Sequence, residues 1–254
     1  IAVFFSLGTC CMASQCSTTF PFVSNRKKFS VTSSSSTDIL VKIRLRPAGV
    51  GDVIRNIVFD FGGVLVDWNP EYLFKDVFSD NTELDYFLEN ICTPDWNEKQ
   101  DAGRSLSDAI RTLQERHPKY RNEIRLYYEQ WTTMLGGPIE QNVALLKPLK
   151  ANYRLFGLTN WSAETFPIAL DLYPLFGEFE GIVVSGEERL AKPDERIYKV
   201  LLERYSLIAT ECLFIDDNER NILAAEVLGF HVLHLHIDIC LKEELAQLGI
   251  RGLK

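Results

Sequence analysis

Five short apolar runs recur along the chain from about Val53: IRNIVFD, YRLFGLT, GIVVS, ECLFID and FHVLHL. Each is rich in β-branched or aromatic residues and each stops at or beside a polar residue, which predicts strands buried on both faces of a parallel sheet. Stretches with apolar residues at helical spacing, such as ERIYKVLLERY and NERNILAAEVLG, fall between them. The alternation predicts an α/β fold with a parallel sheet. One interval departs from this rhythm. Residues 70–137 show no clear strand but several amphipathic helical stretches, PEYLFKDVF, ELDYFLENI, SLSDAIRTLQERH and EIRLYYEQWTTML, which predict a helical insertion after the first strand. The core is then residues 53–69 and 138–254.

The N-terminal region differs in kind. Its first 37 residues hold no Asp or Glu, three basic residues (Arg26, Lys27 and Lys28) and a hydroxyl-rich run ending in SVTSSSST. That is the composition of a transit segment rather than of a packed core, so residues 1–52 read as a disordered leader or as translated upstream sequence and are set apart from the fold. A genuine transit peptide implies the plastid stroma; otherwise the expected location is the cytoplasm. Without the first 37 residues the chain carries 24 basic against 35 acidic residues, a net charge near −11. Such a balance argues against nucleic-acid or anionic-membrane partners and for a small molecule. No apolar run approaches the roughly 18 to 20 residues that span a bilayer. Of six cysteines, Cys10, Cys11 and Cys16 precede the expected fold, while Cys92, Cys212 and Cys240 show no paired or metal-ligand spacing, so free thiols and a reducing compartment are expected. Oligomeric state is left open.

Open parallel sheets bind ligands at the carboxyl ends of their strands. The polar residues there are, in order, Asp60, Thr159 with Asn160, Lys192, and Asp216 with Asp217. The set suits phosphoryl transfer. An aspartate can attack phosphorus, an acidic pair can hold magnesium, and Lys192 with Thr159 can neutralise charge on the transferring oxygens. Gly62 and Gly63 follow Asp60 at once and would let the backbone approach phosphate and metal closely.

The order DFGGV, LTNWS, KPDERIY, FIDDNERN resembles the four motifs of the haloacid dehalogenase-like hydrolases, over about residues 54–250. The wording is most similar to the branch with bacterial sugar-1-phosphate phosphatases and the phosphatase domain of soluble epoxide hydrolases. The resemblance implies a Rossmann-like core with a helical cap over residues 70–137. It further implies a magnesium-dependent phosphatase acting on a small phosphorylated metabolite, sugar phosphates among the candidates, through an aspartyl-phosphate. Carried over by position, Asp60 is the nucleophile and a metal ligand, and Gly62 lends its carbonyl to the metal. Gly63, Thr159, Asn160 and Lys192 bind the phosphoryl group, with Thr159 and Lys192 also counted as catalytic. Asp217 is the second acidic metal ligand and Asp216 its neighbour in the coordination shell.

Gly62 stands where most phosphatases of this group carry a general acid, and loss of such a group typically costs about 10² to 10⁴ in rate. A leaving group that needs little protonation, or a cap residue (Asp101 or Arg104), could compensate. Asp67 reads as shaping the entry to the cap. The acidic pair argues against the main alternative, a metal-independent 2-haloacid dehalogenase. A degenerate, non-enzymatic phosphate-binding member is the other. His231, His234 and His236 read as core or surface histidines rather than a zinc site. Trp96, Trp131 and Trp161 read as packing residues, with Trp161 near enough to the second motif to line a pocket.

Overall fold

The computed structural model describes residues 43–44, 53–236 and 238–253. Eight strands are present among them: β1 (Ile43–Arg44), β2 (Asn56–Phe59), β3 (Val66–Trp68), β4 (Leu135–Pro138), β5 (Arg154–Thr159), β6 (Gly181–Val184), β7 (Cys212–Asp216) and β8 (His231–His234). Six form one sheet in the order β1-β8-β7-β2-β5-β6, parallel throughout except for β1, which runs antiparallel to β8. Residues 1–52, read as a leader, lie outside the described residues apart from this β1 pair.

The apolar runs become strands because both faces of the sheet are covered. Ile57, Phe59, Leu155, Leu213, Ile215 and Leu233 point into one hydrophobic layer. Val58, Phe156, Leu158, Phe214 and Val232 point into the other, against Ile197, Tyr198, Leu201 and Ile222. Those partners come from the helices that the sequence placed between strands, Glu195–Arg204 and Glu219–Val227.

β2 lies between β7 and β5, with Phe59 opposite both Ile215 and Gly157. The next residue along, Asp60, donates its backbone N–H to the Ile215 carbonyl (2.9 Å). Adjacency in the sheet thus sets Asp60, Thr159 and Asp216 side by side at one edge. Gly157 has a local reason as well, because a Cβ there would collide with the ring of Phe61. Phe61 is fully buried and packs on Phe166, Phe176 and Phe179, anchoring the turn that follows Asp60.

Between β3 and β4 the chain forms five helices: α1 (Glu71–Phe74), α2 (Asn81–Asn90), α3 (Pro94–Asp101), α4 (Leu106–Arg116) and α5 (Arg121–Glu129). α2, α3 and α4 start on side-chain caps from Asp80, Thr93 and Ser105. An aromatic cluster of Phe74, Phe78, Phe87, Tyr120 and Tyr127 fills the space between them. The expectation of no strand in 70–137 needs correction at its end. Leu135–Pro138 pairs with Val66–Trp68 in a two-stranded ribbon that brackets the five helices, and its Gly136-Gly137 has no β propensity to betray it.

The core continues with α6 (Glu140–Val143), α7 (Leu146–Lys150), α8 (Phe166–Leu172), α9 (Ser185–Glu188), α10 (Glu195–Arg204), α11 (Glu219–Val227) and α12 (Leu241–Gln247). Among the described residues no helix is long and apolar enough to cross a membrane. Cys92, Cys212 and Cys240 are free thiols.

Candidate active site

Lys192 is the hub of the sheet edge. Its buried ammonium lies 3.0 Å from Asp60 Oδ1 and donates to Asp216 Oδ2 (2.7 Å) and the Leu158 carbonyl (2.8 Å). The three N–H bonds of an ammonium are thereby matched by three acceptors. Asp60 Oδ1 also accepts from the Phe61 N–H (2.7 Å), whereas Oδ2 has no hydrogen-bond partner among the described residues. One oxygen is held and the other is free.

Asp216 is fully buried and both of its oxygens are engaged. Oδ1 accepts from the Asn218 N–H (2.8 Å) and Asn221 Nδ2 (3.1 Å), and Oδ2 from Asn221 Nδ2 (3.1 Å) and Lys192. It braces Lys192 against the start of α11. Asp217 is exposed as a residue, but its carboxylate stands against Gly63. A Cβ at Gly63 would overlap Asp217 Oδ2, and the backbone there has φ +70°. Glycine is required at 63 on both counts. At 62 it is not, because an added Cβ would meet nothing within 4 Å. Protein packing thus demands glycine at 63 and leaves 62 open.

Thr159 Oγ1 is buried and has no partner among the described residues. A buried hydroxyl without a hydrogen bond is costly, and an incoming oxyanion would satisfy it. The Asn160 side chain has a structural task. Its Oδ1 accepts from the Lys192 N–H (2.8 Å) and its Nδ2 donates to the Lys192 carbonyl (2.9 Å), a two-way clamp on the backbone that carries the ammonium.

The charges are unbalanced. One vertex each of Asp60, Asp216 and Asp217 lie within 4.8 Å of one another, with a single ammonium among them. Burial pushes the Asp60 carboxyl up to about 7, against the pull of Lys192 and with the repulsion of Asp216 and Asp217 added. Burial and then Asp216 lift Asp217 to about 6. For Lys192 burial opposes the charge, but Asp216 and Asp60 outweigh it and hold the ammonium protonated. Three hard oxygen donors that repel one another in this way fit a hard divalent cation such as magnesium.

A cleft of about 490 Å³ lies beside this edge, lined by Asp95, Glu98, Lys99 and Ala102 of the α3 region and by Asn160, Ala191 and Lys192, the last through its backbone because its side chain is fully buried. α3 was not picked out as a helix in the sequence, although Thr93-Pro94-Asp95 is a regular helix start. Its end is docked on the core. Asp101 accepts from the Ser162 N–H and the Ser185 hydroxyl donates to the Asp101 carbonyl. Leu106 N–H donates to Glu164 (2.8 Å), and Glu98 pairs with Arg220 (2.8 Å).

The two cap candidates for proton transfer do not join the site. Asp101 is raised to about 7 by burial and then by Glu98, and no catalytic carboxylate or Lys192 acts on it. Its carboxylate is held by Ser162 and by Asn97 (3.0 Å). Arg104 turns back onto Gln100 and the Trp96 carbonyl (3.1 Å). Asp67 accepts from the Tyr72 hydroxyl (2.6 Å) at the foot of the cap. Trp161 packs edge-on against Trp131 and Phe166 and is buried. His234 was missed: its Nε2 lies 2.9 Å from the Asp217 carbonyl, steadying the loop that carries that carboxylate. Strand alternation shows its face but not this contact.

The family model of haloacid dehalogenase-like hydrolases matches residues 57–235. The sesquiterpene phosphatase of Aspergillus oryzae is 28% identical over 192 residues, 75% of this chain and 94% of that protein. A predicted HAD-like family hydrolase of Porphyromonas gingivalis superposes with a TM-score of 0.59 at 25% identity, covering 77% of this chain and 98% of that one. A HAD family enzyme of Bacteroides thetaiotaomicron, solved with magnesium and inorganic phosphate, shares the fold with a TM-score of 0.58 at 22% identity, covering 75% and 98%. With 179 residues matched and the four motifs gathered at one sheet edge, the chain belongs to the haloacid dehalogenase-like hydrolase family.

Proposed function

We propose that this hydrolase is a magnesium-dependent phosphatase that takes the phosphoryl group of a small phosphorylated metabolite onto Asp60. The observation that carries the reading is the pairing of Asp60 and Lys192 beside the unpartnered, buried hydroxyl of Thr159. Asp60 Oδ1 is fixed by Lys192 and the Phe61 N–H, which leaves Oδ2 to attack phosphorus. Lys192 and Thr159 face the phosphoryl oxygens, and Asn160 holds Lys192 in place through its backbone. Asp60, Asp217 and the Gly62 carbonyl would hold the metal, with Asp216 behind them. Bound magnesium supplies positive charge that offsets the carboxylates and the phosphoryl oxygens. The cap keeps bulk water from the phosphorylated aspartate.

The phosphatase named among the relatives supports this reading. The dehalogenase alternative keeps Asp60 as nucleophile and Asp216 as the brace of Lys192 but leaves Asp217, the third carboxylate of the cluster, without a task. The test is phosphate release with magnesium by the parent chain and by Asp60→Asn. Release by the parent, lost in the variant and in excess chelator, is expected. Release that survives both chelation and the substitution would refute the proposal.

A further inference from the structure

A leaving oxygen must be protonated as it departs or be weakly basic from the start, and the groups around Asp60 decide which. Lys192 is committed to three acceptors and bonds the held oxygen of the nucleophile. Asp216 is saturated as an acceptor, and Asp217 belongs to the metal in the reading above. Tyr198 donates to the Asn221 carbonyl (2.9 Å), and His234 is bonded to the Asp217 carbonyl. Phe61, Gly62 and Gly63 offer no polar side chain, and the space at Gly62 is open. Asp101 and Arg104 are tied up within the cap and its docking seam. The Thr159 hydroxyl is unpartnered but serves the phosphoryl oxygens in the reading above and is too weak an acid, so among the described residues no acidic side chain on the core side is left to donate a proton.

The cap offers a cation instead. Lys99 lines the cleft that reaches Asn160 and the backbone of Lys192. It is exposed and its ammonium has no ion pair or hydrogen bond among the described residues, whereas its neighbour Glu98 is paired with Arg220. Asp95 lies one turn earlier on the same helix and also lines the cleft, but does not pair with Lys99.

Resting on the phosphatase reading, we propose that the substrate is an organic diphosphate, its terminal phosphoryl group passing to Asp60 and its inner phosphate received by Lys99. A lone pair of Asp60 Oδ2 forms the new bond to the terminal phosphorus. The bond from that phosphorus to the bridging oxygen breaks, and its electron pair stays with the organic monophosphate, which leaves as an anion without taking a proton from the protein. Water then attacks the phosphorylated aspartate at phosphorus, the carboxylate is restored, and the proton lost by water ends on the released inorganic phosphate. The second ionisation of a phosphate monoester lies at about 6, against roughly 16 for an oxygen as basic as hydroxide. Only the first departs unaided at neutral pH. An anomeric sugar phosphate falls between the two.

The test uses the full chain with magnesium and four probes: methyl diphosphate, methyl phosphate, phenyl phosphate and 4-nitrophenyl phosphate. The missing proton donor is worth about 10² to 10⁴ in rate, so kcat/KM for methyl diphosphate is expected to exceed that for methyl phosphate at least a hundredfold. The rate should also climb steeply from phenyl to 4-nitrophenyl phosphate. Lys99→Met should lower the ratio of methyl diphosphate to 4-nitrophenyl phosphate turnover at least tenfold. Gly62→Asp, which places a carboxyl in the open space, should narrow the gap between the two methyl substrates. Equal rates on those substrates, or an unchanged ratio in Lys99→Met, would overturn the inference while leaving the phosphatase reading intact. Absence of phosphate release from all four probes would remove both.

Discussion

Lys192 and Asp216 meet at 2.7 Å with neither side chain exposed to solvent. Breaking a buried ion pair from one side leaves an uncompensated charge, typically at a cost of about 3–5 kcal/mol. Lys192→Met should destabilise the protein by an amount of that order, and Lys192→Met combined with Asp216→Asn by less than the sum of the single changes. Urea denaturation of the four species closes the cycle. Strict additivity would mean that the pair is not coupled.

The two glycines after Asp60 should respond oppositely to alanine. Gly63→Ala forces a Cβ into the Asp217 carboxylate and onto a left-handed backbone, and should reduce phosphate release at least tenfold with loss of stability of about 1 kcal/mol or more. Gly62→Ala meets open space and should leave the melting temperature within a few degrees. Thermal melts together with a rate assay on each variant check this, and equal loss in both would contradict the geometry.

Gly157→Ala tests the turn from behind. The added methyl collides with the Phe61 ring, and overpacking of this kind typically costs about 1–3 kcal/mol. Since Phe61 follows Asp60 directly, activity should fall with stability, and Phe61→Leu in the same chain should recover part of both.

Asp101 supplies a pH signature. Its carboxyl is raised to about 7 in the fold, from an ordinary value of 3.8, by burial and Glu98. Between those values the folded state binds more protons than the unfolded state, so stability contributed at this site falls as pH rises and is flat outside the window. The difference in melting temperature between Asp101→Asn and the parent should therefore shift in favour of the variant from pH 4 to pH 8. A difference independent of pH would show that Asp101 does not carry the shift.

Much of the candidate site was legible because its residues sit where strand grammar puts them. β2, β5, β6 and β7 are apolar runs that end at or beside Asp60, Thr159, Ser185 and the Asp216-Asp217 pair, and the parallel sheet brings most of those ends together. What escaped depends on side-chain direction and on contacts across long separations. The clamp of Asn160 on Lys192 spans 32 residues and the Glu98 to Arg220 pair spans 122. Asp101 and Arg104 sit close to the cleft in sequence order yet turn toward Ser162 and Gln100, a choice that periodicity does not encode. The β3–β4 ribbon is short and glycine-containing, and only its partner reveals it.

Ser185, at the end of β6, takes no part in the chemistry. Its hydroxyl receives the Trp161 N–H (2.9 Å) and reaches the Asp101 carbonyl of the cap. The sheet thus moors its lid at one strand end while the reaction runs at its neighbours. A lid fastened in this way can be refitted helix by helix for new substrates, with the reaction centre inherited unaltered.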